Sequence, residues 1–118
     1  MRRVGTKKRL RVNQTVRTGD QSRVGLAQAV VASAYGVTLR EMRTRTRKIQ
    51  AQEARQLATY LARVVFEIGL RELARETGRS PGTTCHACRK VEQRRDLPEF
   101  DRAVDYLEMQ LRAAAAGQ

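Results

Sequence analysis

Tryptophan is absent from this chain of 118 residues, and aromatic side chains make up only 4% of it. Sheet cores draw on aromatic and β-branched residues, so the shortage predicts an aliphatic, alanine-rich and helical interior. Cysteine is scarce too, with only Cys85 and Cys88. Both fall in one expected helix, a poor disulfide geometry, which excludes a disulfide scaffold and predicts a reducing compartment. No stretch approaches the roughly 18 apolar residues of a membrane span. The basic N-terminus is followed by no apolar segment, so no secretory signal is expected. The length suits one domain with a modest core.

Positive charge is what the chain has in excess. Lysine and arginine number 24 against 12 acidic residues, a formal net charge of +12. Residues 1–48 hold 13 basic and 2 acidic side chains, whereas residues 49–118 hold 11 and 10. So lopsided a first half predicts a polyanionic partner, nucleic acid first. A membrane is not expected as partner, because no helix sets a bulky apolar face against a Lys/Arg face. RNA ranks below duplex DNA, since stacking needs exposed aromatics and the few present fall mostly on buried stripes.

Residues 1–22 read as a basic, flexible arm carrying Arg2, Arg3, Lys7, Lys8, Arg9, Arg11 and Arg17. Residues 23–113 read as the folded domain, and 114–118 as a fraying tail. Val24, Ala27, Val31, Ala34 and Tyr35 recur at helical steps, and Gly36 fits the C-cap. Thr38 can cap a short helix holding Leu39 and Met42. The stretch from Arg43 to Lys48 has no apolar residue. The pattern predicts a helix over 50–67 with Leu57, Leu61, Val64, Val65 and Ile68 inward, Arg55, Thr59 and Arg63 opposite, and Gly69 as the breaker. A short helix over 71–77 follows, with Leu73 and Ala74 inward and Gly78 closing it. Ser80 offers an N-cap and Pro81 fits the first position of a helix reaching about Arg95. Its inward residues are Thr84, Ala87, Cys88 and Val91. Pro98 opens the last helix, with Glu99 and Asp101 in its positive first turn and Phe100, Val104, Leu107 and Leu111 as its stripe. The expected class is all-α, with about six helices.

Residues 70–91 carry helix-turn-helix punctuation: a short helix with small Ala74, a glycine turn, then a capped helix. Such a pair holds the second helix clear of the body, so that its first turns reach base edges in a major groove.

Residues of about 24–112 resemble the C-terminal DNA-binding domain, domain IV, of the bacterial replication initiator DnaA, a helix-turn-helix fold of the Trp repressor type. Three stretches carry the likeness. Val30 through Val37 with Leu39 resembles its first helix and turn, and Ala54 through Arg63 its long helix. Gly78-Arg79 followed by His86-Ala87-Cys88-Arg89-Lys90-Val91-Glu92 resembles its turn and recognition helix. The resemblance implies that Arg47, flanked by Arg45 and Lys48, enters a minor groove. It also implies that Arg55 and Gln56 face the DNA backbone, and that Arg79, Ser80, Thr83, Thr84, His86 and Lys90 lie where the family meets DNA. An arginine gains in a narrow minor groove from its negative potential, and lysine with a helix N-terminus suits phosphate.

The family opens this helix with Asp-His-Thr-Thr, whereas Ser80-Pro81-Gly82-Thr83 stands here. Pro81 and Gly82 have no side-chain hydrogen-bonding groups, so base readout differs from the family's. Thr84 falls at a position that usually buries an aliphatic residue. It costs packing energy unless its hydroxyl bonds a carbonyl one turn back. No phosphate-binding Gly-x-x-x-x-Gly-Lys-Ser/Thr loop occurs.

Enzymatic readings are weak. Cys85, His86 and Cys88 offer three ligands on one turn where structural zinc takes four. Cys85 and His86 are adjacent, so on a helix they diverge and make no nucleophile–base pair. Glu72 and Glu76 read as solvated on an exposed face. The expectation is a non-enzymatic protein without metal or cofactor, cytoplasmic and nucleoid-associated. It would bind double-stranded DNA as a monomer and modulate replication initiation or transcription. The alternative is an interaction module that binds the initiator or its regulator.

Overall fold

The computed structural model describes residues 19–117, with side chains from Arg23 onward. The cationic residues expected to form the arm lie outside the described residues. Six helices follow in order: α1 Gly19–Tyr35, α2 Leu39–Arg43, α3 Ile49–Phe66, α4 Leu70–Thr77, α5 Pro81–Arg94 and α6 Pro98–Ala116. Among the described residues there is no strand. The all-α expectation is met. Helix geometry begins inside the stretch assigned to the arm and continues into the tail expected to fray.

α3 is the central element, in contact with α1, α2, α4, α5 and α6. Its buried alanines, Ala51, Ala54, Ala58 and Ala62, let neighbouring helices approach closely. Leu57 and Leu61 fill the space between them, each contributing about 1.5–3 kcal/mol by burial. Val24, Ala27 and Val31 of α1, Met42 of α2, Leu73 of α4, Val91 of α5 and Val104, Leu107 and Leu111 of α6 pack around them in the core.

Because neighbours surround α3, its middle has no open face. Thr59, expected opposite the core, is only 8% exposed. Its hydroxyl donates to the Arg55 carbonyl at 2.9 Å, so the buried polar group is satisfied. Val64 and Val65 are half-buried where α3 leaves the centre, and Ala34 is exposed at the end of α1.

The breaks follow local chemistry at some ends and tertiary demand at others. α1 stops at Gly36, whose φ of +67° suits a residue without Cβ, and Val37 N–H closes on the Ala32 carbonyl at 3.1 Å. α3 ends differently from expectation. Glu67, not Gly69, takes the left-handed conformation, with φ 56° and ψ 40°. The turn there carries Ile68 into the core, where it is 3% exposed. Gly69 is extended and serves as N-cap of α4, which starts at Leu70.

The corner between α5 and α6 is held by Arg95. Its guanidinium donates to Asp101 at 2.5 Å, to Glu108 and the Tyr60 hydroxyl at 3.1 Å each, and to Asp105. Burial disfavours this charge, but the bonds to Asp101, Tyr60 and Glu108 outweigh it and raise the Arg95 pKa. Arg94 lies over the Phe100 ring at 4.0 Å, a cation–π contact across the same corner. Among the described residues, no helix is long and apolar enough to cross a membrane.

Candidate nucleic-acid interface

α4 and α5 form the helix-turn-helix expected from the punctuation. Gly78, at φ +72°, closes α4. Arg79 N–H reaches the Ala74 carbonyl at 2.9 Å and Gly78 N–H the Arg75 carbonyl at 3.3 Å. These two bonds make a Schellman stop. Ser80 then caps α5, its hydroxyl oxygen accepting from Thr83 N–H at 3.0 Å, with Pro81 in the first turn. Ala74, Ala87 and Val91 are buried where the helices pack inward.

The outward side of α5 carries Thr83, His86 and Lys90, all exposed, at helical spacing of three and four. Thr84 points the other way. It is 1% exposed and its hydroxyl donates to the Ser80 carbonyl at 2.9 Å. The conditional packing cost is thereby avoided, and the side chain is buried away from any ligand that approaches the surface. Cys88 is half-buried, and burial is the main cause raising its thiol pKa. Glu72 and Glu76 are half-buried, not on the open face expected. Among the described residues, no three His, Cys, Asp or Glu side chains come together as a metal site.

The basic stretch from Arg43 to Lys48 links α2 to α3. Arg45 and Arg47 are exposed. Lys48 is exposed too, but its ammonium donates to Glu41 at 2.6 Å. Glu41 also completes a capping box, its other oxygen accepting from Thr38 N–H at 2.9 Å while Glu41 N–H donates to the Thr38 hydroxyl at 3.0 Å. The hydrogen bond from Lys48, then that from the Thr38 backbone, holds the Glu41 carboxyl down at about 2. The same bond raises the Lys48 pKa.

Arg55 sits behind this loop on α3. Its Nε donates to the Met42 carbonyl and its Nη2 to the Thr44 carbonyl, both at 2.7 Å. Burial and, secondarily, the charge of Arg79 lower the Arg55 pKa. Arg55 and Arg79 are thus electrostatic neighbours across the join between the loop and the helix-turn-helix. Gln56 is half-buried beside Arg55. Ser80 is exposed at the tip of α5 but commits its hydroxyl to the cap.

Residues 26–91 match the family model described as bacterial dnaA protein helix-turn-helix. The match runs from α1 through Val91 and includes the basic loop and both helices of the motif. The chain belongs to this DnaA helix-turn-helix family. Among solved structures, a DNA replication initiation factor is similar at 30% identity and a TM-score of 0.74, over 80% of this chain and 30% of that one. A replication initiator DnaA bound to AMPPCP and single-stranded DNA is similar at 30% identity and a TM-score of 0.71, over 80% and 29%. AMPPCP-bound DnaA from Aquifex aeolicus gives 29% identity and 0.71, over 81% and 29%. The chain therefore spans only about 30% of the length of these relatives. No curated protein matches it.

Two residues of this DnaA-type domain escaped the sequence reading. Gln52 donates from Nε2 to the Thr46 carbonyl at 2.7 Å, and Glu41 joins α2 to Lys48 at the start of α3. Gln52 lies three positions before Arg55, on the same helix face, and that spacing was the available signal. The partners were not legible, because loop carbonyls leave no mark in a sequence. Arg43, within the same basic stretch, donates from Nε to Gln28 of α1 at 2.8 Å.

Proposed function

We propose that this chain is a non-catalytic module that binds double-stranded DNA. α5 enters the major groove and presents Thr83, His86 and Lys90, and the segment with Arg45 and Arg47 reaches the adjacent minor groove. Arg79 and Gln56 lie beside these elements and suit backbone phosphates. The observation that carries the reading is the exposure of Arg45 and Arg47 on the loop before α3 and of Thr83, His86 and Lys90 on α5, with Arg55 behind the loop close enough to Arg79 to feel its charge. The DnaA relative bound to single-stranded DNA supports DNA as the partner, without bearing on duplex over single strand. In the cell the module would act as a monomer on the nucleoid and modulate replication initiation or transcription. Thr84 packs the motif and is not a contact.

Fluorescence anisotropy tests this with two labelled duplexes, a DnaA box and a scrambled control, across a salt series. Affinity for both should fall steeply with salt, each neutralised phosphate adding about 0.9 to the log–log slope. Arg47→Ala should weaken both duplexes alike, and changing Thr83 should alter the ratio between them. A flat salt profile would refute the proposal.

A second reading rests on the tip of α5. Pro81 and Gly82 are exposed there and offer no side-chain hydrogen bonds, and the Ser80 hydroxyl is used by the cap. A module of this kind would bind the initiator or its regulator in place of specific DNA. Recovery of a replication protein with the chain after nuclease treatment, without duplex binding at moderate salt, would favour this reading.

A further inference from the structure

α3 makes an unusual use of its polar face. Three alternate carbonyls, those of Met42, Thr44 and Thr46, are all taken by side chains one turn apart on that helix. Arg55 bonds the first two and Gln52 the third, each bond 2.7 Å long. Thr44 is extended, with φ −102° and ψ 159°. The chain leaves α2 after Arg43 and runs along α3 here, which brings all three carbonyls within reach of one helix face. Arg43 and Arg45 between them, and Arg47 just after, are exposed, Arg43 with its bond to Gln28.

We propose that Arg55 and Gln52 are positioning residues, which fix residues 42–46 against α3 so that Arg45 and Arg47 are presented in one arrangement. Arg55 thus acts through the loop and is not itself a phosphate ligand. The inference rests on the DNA-binding reading for its purpose, but the clamp exists in the free protein. A planar guanidinium reaches two carbonyls with two donors in fixed directions. A lysine ammonium keeps the charge without that fork. Pre-set geometry also removes an ordering cost that a loose basic loop would incur on binding.

Arg55→Lys, Arg55→Gln and Gln52→Ala separate the possibilities, with thermal unfolding used to confirm that each variant folds. Amide exchange in the free protein is the first measurement. Thr44 N–H, bonded to the Arg40 carbonyl, and Lys48 N–H, bonded to the Thr46 hydroxyl, should exchange about tenfold faster in both Arg55 variants. Gln52→Ala should affect Lys48 alone. Unchanged exchange would overturn the clamp, whether or not the protein binds DNA.

The second measurement is duplex affinity at fixed salt. Arg55→Lys should lose affinity about tenfold, as Arg55→Gln does. Both losses should shrink to less than about twofold in an Arg45→Ala, Arg47→Ala background, because residues acting through one another are not additive. Arg55→Lys binding like the unsubstituted protein, or a full loss persisting in the double background, would make Arg55 a direct contact and overturn the proposal. If the unsubstituted protein binds no duplex, the DNA reading fails while the exchange result still decides the clamp.

Discussion

Thr84 and Ser80 are joined twice along the first turn of α5. Thr84 N–H reaches the Ser80 carbonyl at 3.0 Å and the Thr84 hydroxyl reaches the same oxygen at 2.9 Å. The carbonyl keeps a partner even without the hydroxyl. Thr84→Val removes one hydrogen bond but leaves no buried group unpaired, and should therefore change stability by less than about 1 kcal/mol in thermal unfolding. It should also leave the ratio of affinities for the two duplexes unchanged. Ser80→Ala, by contrast, removes the only side-chain cap of α5 and should cost about 1 kcal/mol.

Glu67 is the only described non-glycine residue with positive φ. It is exposed and holds the left-handed turn that seats Ile68. Glu67→Gly relieves the steric conflict of Cβ with the backbone but adds freedom to the unfolded chain. The net gain expected is about 0.5–1 kcal/mol, read as a rise in melting temperature. A fall would mean that the Glu67 side chain contributes more than its backbone strain costs.

Glu41 gives a pH prediction with a definite sign. Its folded carboxyl is held at about 2, below the ordinary 4.5. Its contribution to stability is therefore complete above about 4.5 and is lost as pH falls through about 2. Carbon-detected NMR titration of the carboxyl should show the low midpoint. Lys48→Met should move it up toward 4.5, with part of the depression remaining from the Thr38 N–H bond.

Arg95 neutralises a cluster of three carboxylates, with its own side chain 18% exposed. Arg95→Met should destabilise the fold by only about 1–2 kcal/mol, since Asp101 and Asp105 are solvent-screened and Glu108 keeps Arg112 nearby. Arg95→Lys should recover less than half of that, for want of a fork that reaches several partners. Chemical denaturation of the three proteins checks both statements.

What was legible in the sequence was local. Gly36, Thr38, Gly78, Ser80 and Pro81 announce their roles through backbone preference and capping chemistry within a few residues. All five do in the structure what their residue types favour. The exposed positions of α5 were also legible, because helical spacing alone separates Thr83, His86 and Lys90 from Ala87 and Val91. Thr59 was misplaced because an amphipathic template assumes one open face, and α3 has neighbours on every side at that level. The end of α3 was legible to within one residue, but not the residue that turns the chain: glycine preference pointed to Gly69, while burial of Ile68 required the turn at Glu67. Helical spacing sets Arg55 opposite the core, and the resemblance sets it toward a DNA backbone. Its partners are two carbonyls more than ten positions earlier, which no periodicity encodes.

α5 is rooted at the Arg95 corner and packs on α3 and α4 on the way to its tip. Its fourteen residues form a rod about 21 Å long, rooted at the corner and ending at Pro81. A tilt of one degree at the root displaces the tip by roughly 0.4 Å at that length. Any tilt that an exchange at Asp101, Asp105 or Glu108 imposes on the root is multiplied along this length, with every outward residue of α5 unchanged. The acids of α6 that hold Arg95 sit at the fixed end of a lever whose free end is Pro81.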